Sequence, residues 1–153
     1  MRIVGAPPDG DLVSARTLYD RVVRGLSDFA FNARVKIELG VEDVMVSGDD
    51  GVSLMLIMNE LLVNSLRHAF PDNIGGTIRI SFGLTAGAVG PSVVLVVEDD
   101  GIGMDPKTTP PGLGQTLIQT AAQSLGATMV QESRETNSVR CGSRTSIIKP
   151  WVA

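Results

Sequence analysis

Cysteine occurs once, at Cys141, so neither an internal disulfide nor a cysteine-based zinc cluster is available to hold this chain together. Tryptophan, tyrosine and histidine also occur once each, and aromatic residues make up only 4% of the chain, so aliphatic side chains must fill any core. The longest unbroken apolar runs, Leu54 to Met58 and Val93 to Val97, fall far short of the roughly 20 residues needed to cross a bilayer. No basic segment followed by an apolar one opens the chain, so it reads as cytoplasmic and without membrane contact. A basic stripe is missing too: the net charge is −4, which argues against a nucleic-acid partner.

What is present is enough for one packed domain, with 153 residues of which 43% are apolar. Residues 1–11, with Gly5, Pro7, Pro8 and Gly10, read as a linker or strand remnant, and 12–153 as the domain itself. From Leu12 to about Ala33 the spacing of Leu12, Ala15, Leu18, Val22, Val23, Leu26, Phe29 and Ala30 predicts an amphipathic helix with a break near Gly25. Val35 to Leu39 alternates as a strand does, and Val44 to Val46 predicts a short second one. A long helix follows from about Gly51 to Phe70, with the apolar stripe Leu54, Ile57, Met58, Leu61, Leu62, Ser65, Leu66 and Ala69, capped by Asp49 or Asp50 and stopped by Pro71.

Thr77 to Phe82 and Val93 to Val97 predict two strands of one sheet, the second buried on both faces, with a Gly-, Ala- and Pro-rich loop from Thr85 to Ser92 between them. A helix opening at Gly112 carries the stripe Leu113, Leu117, Ile118, Ala121, Ala122 and Leu125 and is closed by Gly126. Thr128 to Gln131 and Thr145 to Ile148 supply two final strands. This order predicts an α+β fold, a two-layer sandwich with a mixed sheet and its helices on one face.

The long helix carries the first chemical signal. Glu60, Asn64 and His68 stand four apart and share one face, with Arg67 at its border. Three polar residues on a helix face usually just meet water. Here two glycine-bearing boxes follow: Asp99-Asp100-Gly101-Ile102-Gly103, at the end of a predicted strand, and Gly112-Leu113-Gly114, at the start of a predicted helix. A carboxylate at a sheet rim can accept from an exocyclic amine while the glycines admit a flat ring, although Asp-Gly is also a common turn pair. Free amides at a helix start suit a phosphate chain, although a glycine-rich helix start without ligand is equally common. Neither Gly-Lys-Ser nor Gly-Lys-Thr follows the second box, so it is no Walker loop, and the full dinucleotide fingerprint is absent. A carboxylate, an amide and an imidazole followed by two such loops point to a metal-nucleotide site.

In these motifs the chain resembles the catalytic ATP-binding domain of bacterial sensor histidine kinases, within the GHKL group that also contains gyrase-type ATPases and a heat-shock chaperone. The resemblance runs from about Leu12 to Pro150: Leu56 to Pro71 matches the N box, Val96 to Met104 the G1 box and Gly112 to Leu125 the G2 box. The Arg-His-Ala-Phe ending of the first is typical of the branch related to HWE kinases, although the Trp-x-Glu of strict members is absent and Gln115 replaces the usual leucine. The resemblance implies a Bergerat fold with ATP and Mg²⁺ as ligands. In it Asn64 holds the metal, and Glu60 orients metal-bound water or assists proton movement. Arg67, His68 and Lys107 neutralise phosphate charge. Asp99 accepts from the adenine amine, Gly101 and Gly103 flank the ring, Gly112, Leu113 and Gly114 cradle the phosphates, and Ser143 matches a Gly-Thr pair near the adenine.

His68 is the only histidine and falls inside the nucleotide box, and no dimerisation hairpin is expected before residue 12. The implied function is donation of the γ-phosphoryl group to a histidine on a separate dimerisation domain, with a response regulator downstream. The alternative is a stand-alone serine kinase of the same fold that inhibits a sigma factor.

Overall fold

A computed structural model describes residues 2–4, 11–87, 90–102, 113–136 and 139–150. In chain order the elements are β1 (Arg2–Val4), β2 (Leu12–Ser14), α1 (Ala15–Gly25), α2 (Ser27–Asn32), β3 (Val35–Val41), β4 (Val44–Ser47), α3 (Gly48–His68), β5 (Gly76–Gly87), β6 (Gly90–Asp99), α4 (Leu113–Leu125), β7 (Thr128–Thr136) and β8 (Val139–Pro150). Five strands form the main sheet in the order β3-β5-β6-β8-β7, with only β3 and β5 parallel. A smaller sheet, β1-β4-β2, stands apart from it. The expected α+β sandwich with a mixed sheet is what the chain adopts.

One layer is the apolar face of the sheet. Ile78, Ile80 and Phe82 of β5, Val93, Leu95 and Val97 of β6 and Ile147 of β8 alternate along their strands and all point inward. The helices supply the other layer, through Ile57, Met58, Leu61, Leu62 and Leu66 of α3 and Ile118, Ala121, Ala122 and Leu125 of α4. Burying each large aliphatic side chain contributes roughly 1.5–3 kcal/mol, so α3, with seven buried residues, is the central beam of the helical layer. Tyr19 of α1 packs edge-on against Phe82, with ring centroids 5.2 Å apart and an interplanar angle of 87°.

Several boundaries differ from the sequence expectation. The cap of α3 is Ser47, whose hydroxyl accepts from the Asp50 amide at 3.2 Å, and not Asp49 or Asp50. Ser47 is the last residue of β4 and still pairs with Leu12, so the chain leaves the sheet there and the helix starts at once. Asp49 and Asp50 occupy the first turn, where their charge complements the helix dipole, and Asp50 pairs with Lys149 at 2.7 Å. α3 ends at His68, before Pro71 opens a 3₁₀ turn.

The region expected as one helix from Leu12 is a strand, then α1 capped by the Ser14 hydroxyl, then a break at Leu26 next to Gly25, then α2. The predicted loop at 85–92 is mostly strand: Thr85 pairs with Ser92, Ala86 with Pro91 and Gly87 with Gly90. Pro91 is tolerated because β8 reaches only to Pro150, opposite Ser92, so no strand on that side asks Pro91 for an N–H. β6 is fully buried on one face only, since Val94 on the other is half-buried. α4 closes as expected at Gly126, whose amide bonds to Gln123 while Ala127 bonds back to Ala122, a Schellman pair.

Candidate functional site

Asp99 ends β6 in the middle of the sheet, opposite Ile78 of β5 on one side and Ser143 of β8 on the other. It is 3% exposed, and three donors hold its carboxylate. Ser143 Oγ donates to Oδ2 at 2.7 Å, Ser65 Oγ donates to the same oxygen at 3.2 Å, and the Gly101 amide donates to Oδ1 at 3.0 Å. The backbone around it is equally constrained. Gly142 has φ +135°, and a Cβ there would run into the Asp99 carbonyl oxygen. A Cβ at Gly101 would run into the Ala69 carbonyl oxygen, which also accepts from the Ile102 amide at 2.9 Å. Asp100 closes the turn, accepting from the Thr77 amide at 2.7 Å while its own amide donates back to Thr77 at 3.2 Å.

The second part of the site lies where α3 meets the start of α4. Glu60 and Asn64 are half-buried on α3 and face Gly114 in the first turn of α4. A Cβ added at Gly114 would sit 2.7 Å from Glu60 Oε2, 3.7 Å from Asn64 Oδ1 and 3.8 Å from Asn64 Nδ2. The absence of a side chain therefore keeps a small cradle open between a carboxylate, an amide and a helix N-terminus that has no acidic residue of its own. Gln115 ties this first turn to the sheet by donating from Nε2 to Gln131 Oε1 at 3.1 Å.

Arg67 and His68 are exposed in the last turn of α3. Arg67 lines a shallow groove of about 680 Å³ with Phe29, Asn32 and Asp72 rather than facing Gly114. The structure thus gathers Glu60, Asn64 and Gly114 at one place, and Asp99, Gly101 and Ser143 at another. Leu113 opens α4, while Gly103, Lys107 and Gly112 lie outside the described residues.

Two residues of the site were not singled out from the sequence. Ser65 read as part of the apolar stripe of α3, and the one signal for it was a hydroxyl in a stripe of leucines. Asp100 read as a turn residue, and its bonds to Thr77 give that turn a definite anchor.

The model of the histidine kinase-, DNA gyrase B-, and HSP90-like ATPase family matches residues 49–150, which contain all of these side chains. The chain belongs to that ATPase family. Blue-light-activated histidine kinase 2 of Erythrobacter litoralis is 26% identical over 151 residues, covering 96% of this chain and 41% of that protein. The chain therefore spans less than half the length of this curated relative. Among solved structures, the histidine kinase domain of a blue-light activated histidine kinase from Erythrobacter litoralis superposes with a TM-score of 0.73 at 23% identity, over 96% of this chain and 66% of that one. Histidine kinase AdeS of Acinetobacter baumannii does so with a TM-score of 0.75 at 17% identity, over 97% and 70%.

An ATPase of this family binds ATP, and the donor set suits a magnesium nucleotide. Among the described residues no group of three or more His, Cys, Asp or Glu forms a cage for a metal. Mg²⁺ needs no such cage, because it takes one or two oxygen ligands from protein and completes its shell from phosphates and water. Glu60 and Asn64, beside the bare backbone of Gly114, offer oxygens of that kind next to amides of the kind that bind phosphate. No helix among the described residues is long and apolar enough to cross a membrane.

Proposed function

We propose that this domain binds ATP with Mg²⁺ and presents the γ-phosphoryl group to a histidine on a separate phosphoacceptor domain. That domain would be carried by the same full-length protein or supplied by another chain, in a cytoplasmic pathway with a response regulator downstream. The observation that carries the reading is the pair of groups that meet the C-terminal half of α3: Asp99 held as a fixed acceptor through Ser65 and Ser143, and Glu60 with Asn64 across from Gly114 on a neighbouring face.

In this reading Asp99 accepts from the exocyclic amine of the base, and the turn at Gly101 lies against the ring. The Asn64 amide oxygen is the protein ligand for Mg²⁺, and the first amides of α4 receive the phosphates. A metal ion held there would supply positive charge to offset that of the phosphates. Glu60 takes a proton or orients water beside the reacting group, and Arg67, His68 and Lys107 are the candidate cations for offsetting phosphate charge. During transfer a nitrogen–phosphorus bond forms to the acceptor imidazole as the bond from the γ-phosphorus to the bridging oxygen breaks, and ADP departs. The protein contributes positioning and charge more than covalent chemistry, as phosphoryl transfer generally requires.

Calorimetry with ATP-Mg²⁺ should give saturable binding to the chain. Incubation with γ-labelled ATP should label a supplied histidine-bearing domain, with an acid-labile product, and leave this chain unlabelled. Stoichiometric self-labelling, or an acid-stable phosphoserine product, would refute the assignment.

A further inference from the structure

We propose that Ser65 is a positioning residue that sets the preference of this site for a 6-aminopurine over a 6-oxopurine. The inference rests on the nucleotide reading above and assigns a function to a residue that its place in the apolar stripe of α3 disguised.

Ser65 follows Asn64 directly, so about 100° of helical rotation separates their side chains. Asn64 faces Gly114, whereas Ser65 reaches the end of β6 and donates to Asp99 Oδ2. An ionised carboxylate has about four lone-pair positions and accepts only. Among the described residues three are taken at Asp99: two on Oδ2, by Ser65 and Ser143, and one on Oδ1, by the Gly101 amide. The remaining position is on Oδ1. With both hydroxyls crowded onto Oδ2, the carboxylate cannot turn to exchange its oxygens without breaking two hydrogen bonds. Oδ1 is therefore the oxygen offered to the base.

A donor at position 6 of a purine meets this acceptor, and a carbonyl there meets it with like partial charge. A buried acceptor left facing another acceptor carries the full cost of desolvation, and on that cost discrimination between isosteric ligands rests. Gly101 and Ser143 hold Asp99 from the loop and the sheet, and Ser65 is the donor that comes from the helical layer. Without it Oδ2 keeps one partner, a water gains a place, and the carboxylate can present a mixed face to either base.

The test is the ratio of affinities for ATP-Mg²⁺ and inosine triphosphate-Mg²⁺, which differ at position 6, measured by calorimetry on the chain and on Ser65→Ala. The unmutated chain should prefer ATP, and Ser65→Ala should bind ATP roughly fivefold to tenfold more weakly, the scale of one ordinary net hydrogen bond, since Ser65 acts on the base only through Asp99. Its ATP-to-inosine-triphosphate ratio should fall by a similar factor. A change in fold stability alone would weaken both nucleotides together and leave the ratio intact, which would overturn the proposal. Ser65→Thr, which keeps the hydroxyl, should restore the ratio. Ser65→Cys, nearly isosteric with a much weaker donor, should fall between Ser and Ala and provides the reading if the Ala variant does not melt cooperatively. An unchanged ratio in both Ala and Cys variants, with ATP still bound, would overturn the role of Ser65 and leave the nucleotide site standing. Failure of the unmutated chain to bind ATP-Mg²⁺ would overturn both.

Discussion

The two ends of the candidate site, which meet neighbouring faces of the C-terminal half of α3, are built in different physical ways. At the Asp99 end every group is tied: the carboxylate is buried, carries three hydrogen bonds and is flanked by Gly101 and Gly142, whose backbones touch neighbouring carbonyls. At the Gly114 end Glu60 and Asn64 are half-buried and held mainly by the helix that bears them, and Arg67 and His68 are exposed. A rigid acceptor suits a flat base whose shape never changes. Phosphates and a hydrated metal change shape and charge during transfer, so the residues that meet them gain by remaining free to adjust. On the proposed reading, preorganisation is concentrated where the ligand is constant.

Removing Asn64, the proposed metal ligand, should separate the two ends most sharply. Asn64→Ala should lower phosphoryl transfer to a supplied histidine domain by about 10²-fold or more, the scale of losing one well-placed electrostatic group, while the melting temperature hardly moves. Single-turnover labelling reads the first and calorimetric melting the second. A wild-type transfer rate would return Glu60, Asn64 and His68 to an ordinary solvated helix face.

At the rigid end the same size of change should appear in the fold. Gly142→Ala adds a Cβ against the Asp99 carbonyl oxygen at a backbone angle that side chains rarely adopt. It should destabilise the domain by about 3 kcal/mol, in the upper part of the range for single substitutions. Urea denaturation that shows an unchanged midpoint would mean that the base end is looser than its contacts indicate. Asp99→Asn leaves shape nearly intact but offers a mixed edge to the base. It should weaken ATP binding by roughly 1.5–3 kcal/mol, about tenfold or more in affinity. Unchanged affinity with a normal melting curve would make Asp99 only a turn residue.

The smallest effect lies away from both ends. The Tyr19 hydroxyl is buried without a hydrogen-bond partner among the described residues, and burial pushes its pKa well above the ordinary 10.0. Tyr19→Phe keeps the edge-on packing against Phe82 and should raise stability by about 1 kcal/mol, since the orphaned hydroxyl costs desolvation without return. The sign with pH follows from the raised value. The tyrosine's contribution is intact below pH 10 and is lost as pH climbs from there toward the folded-state value, because only the unfolded chain ionises readily. Denaturation curves above pH 10 should therefore fall more steeply for the parent chain than for Tyr19→Phe.

Local chemistry alone determined much of this protein. The helical spacing of Glu60 and Asn64, the carboxylate at the end of an apolar strand, Gly101 after it and Gly114 in the first turn of α4 are short-range patterns, and each came out on the predicted element. The order of strands and helices was legible for the same reason, because apolar periodicity shows which face of each element is buried. The tertiary structure decided what depends on partners distant in sequence. Residues 85–87 and 90–92 of the Gly-, Ala- and Pro-rich stretch continue as strand because β5 and β6 pair there, and Ser47 caps α3 because β4 ends there on β2. The three-stranded sheet exists only because β4, expected from its own residues, pairs with β1 and β2, which are too short to announce themselves. Ser65 is 34 residues from Asp99, and no local pattern can distinguish a serine that fills an apolar stripe from one that holds a carboxylate across the fold. Periodicity reports a direction of burial, while the identity of the atom waiting at the end of that direction is set only when the two layers close.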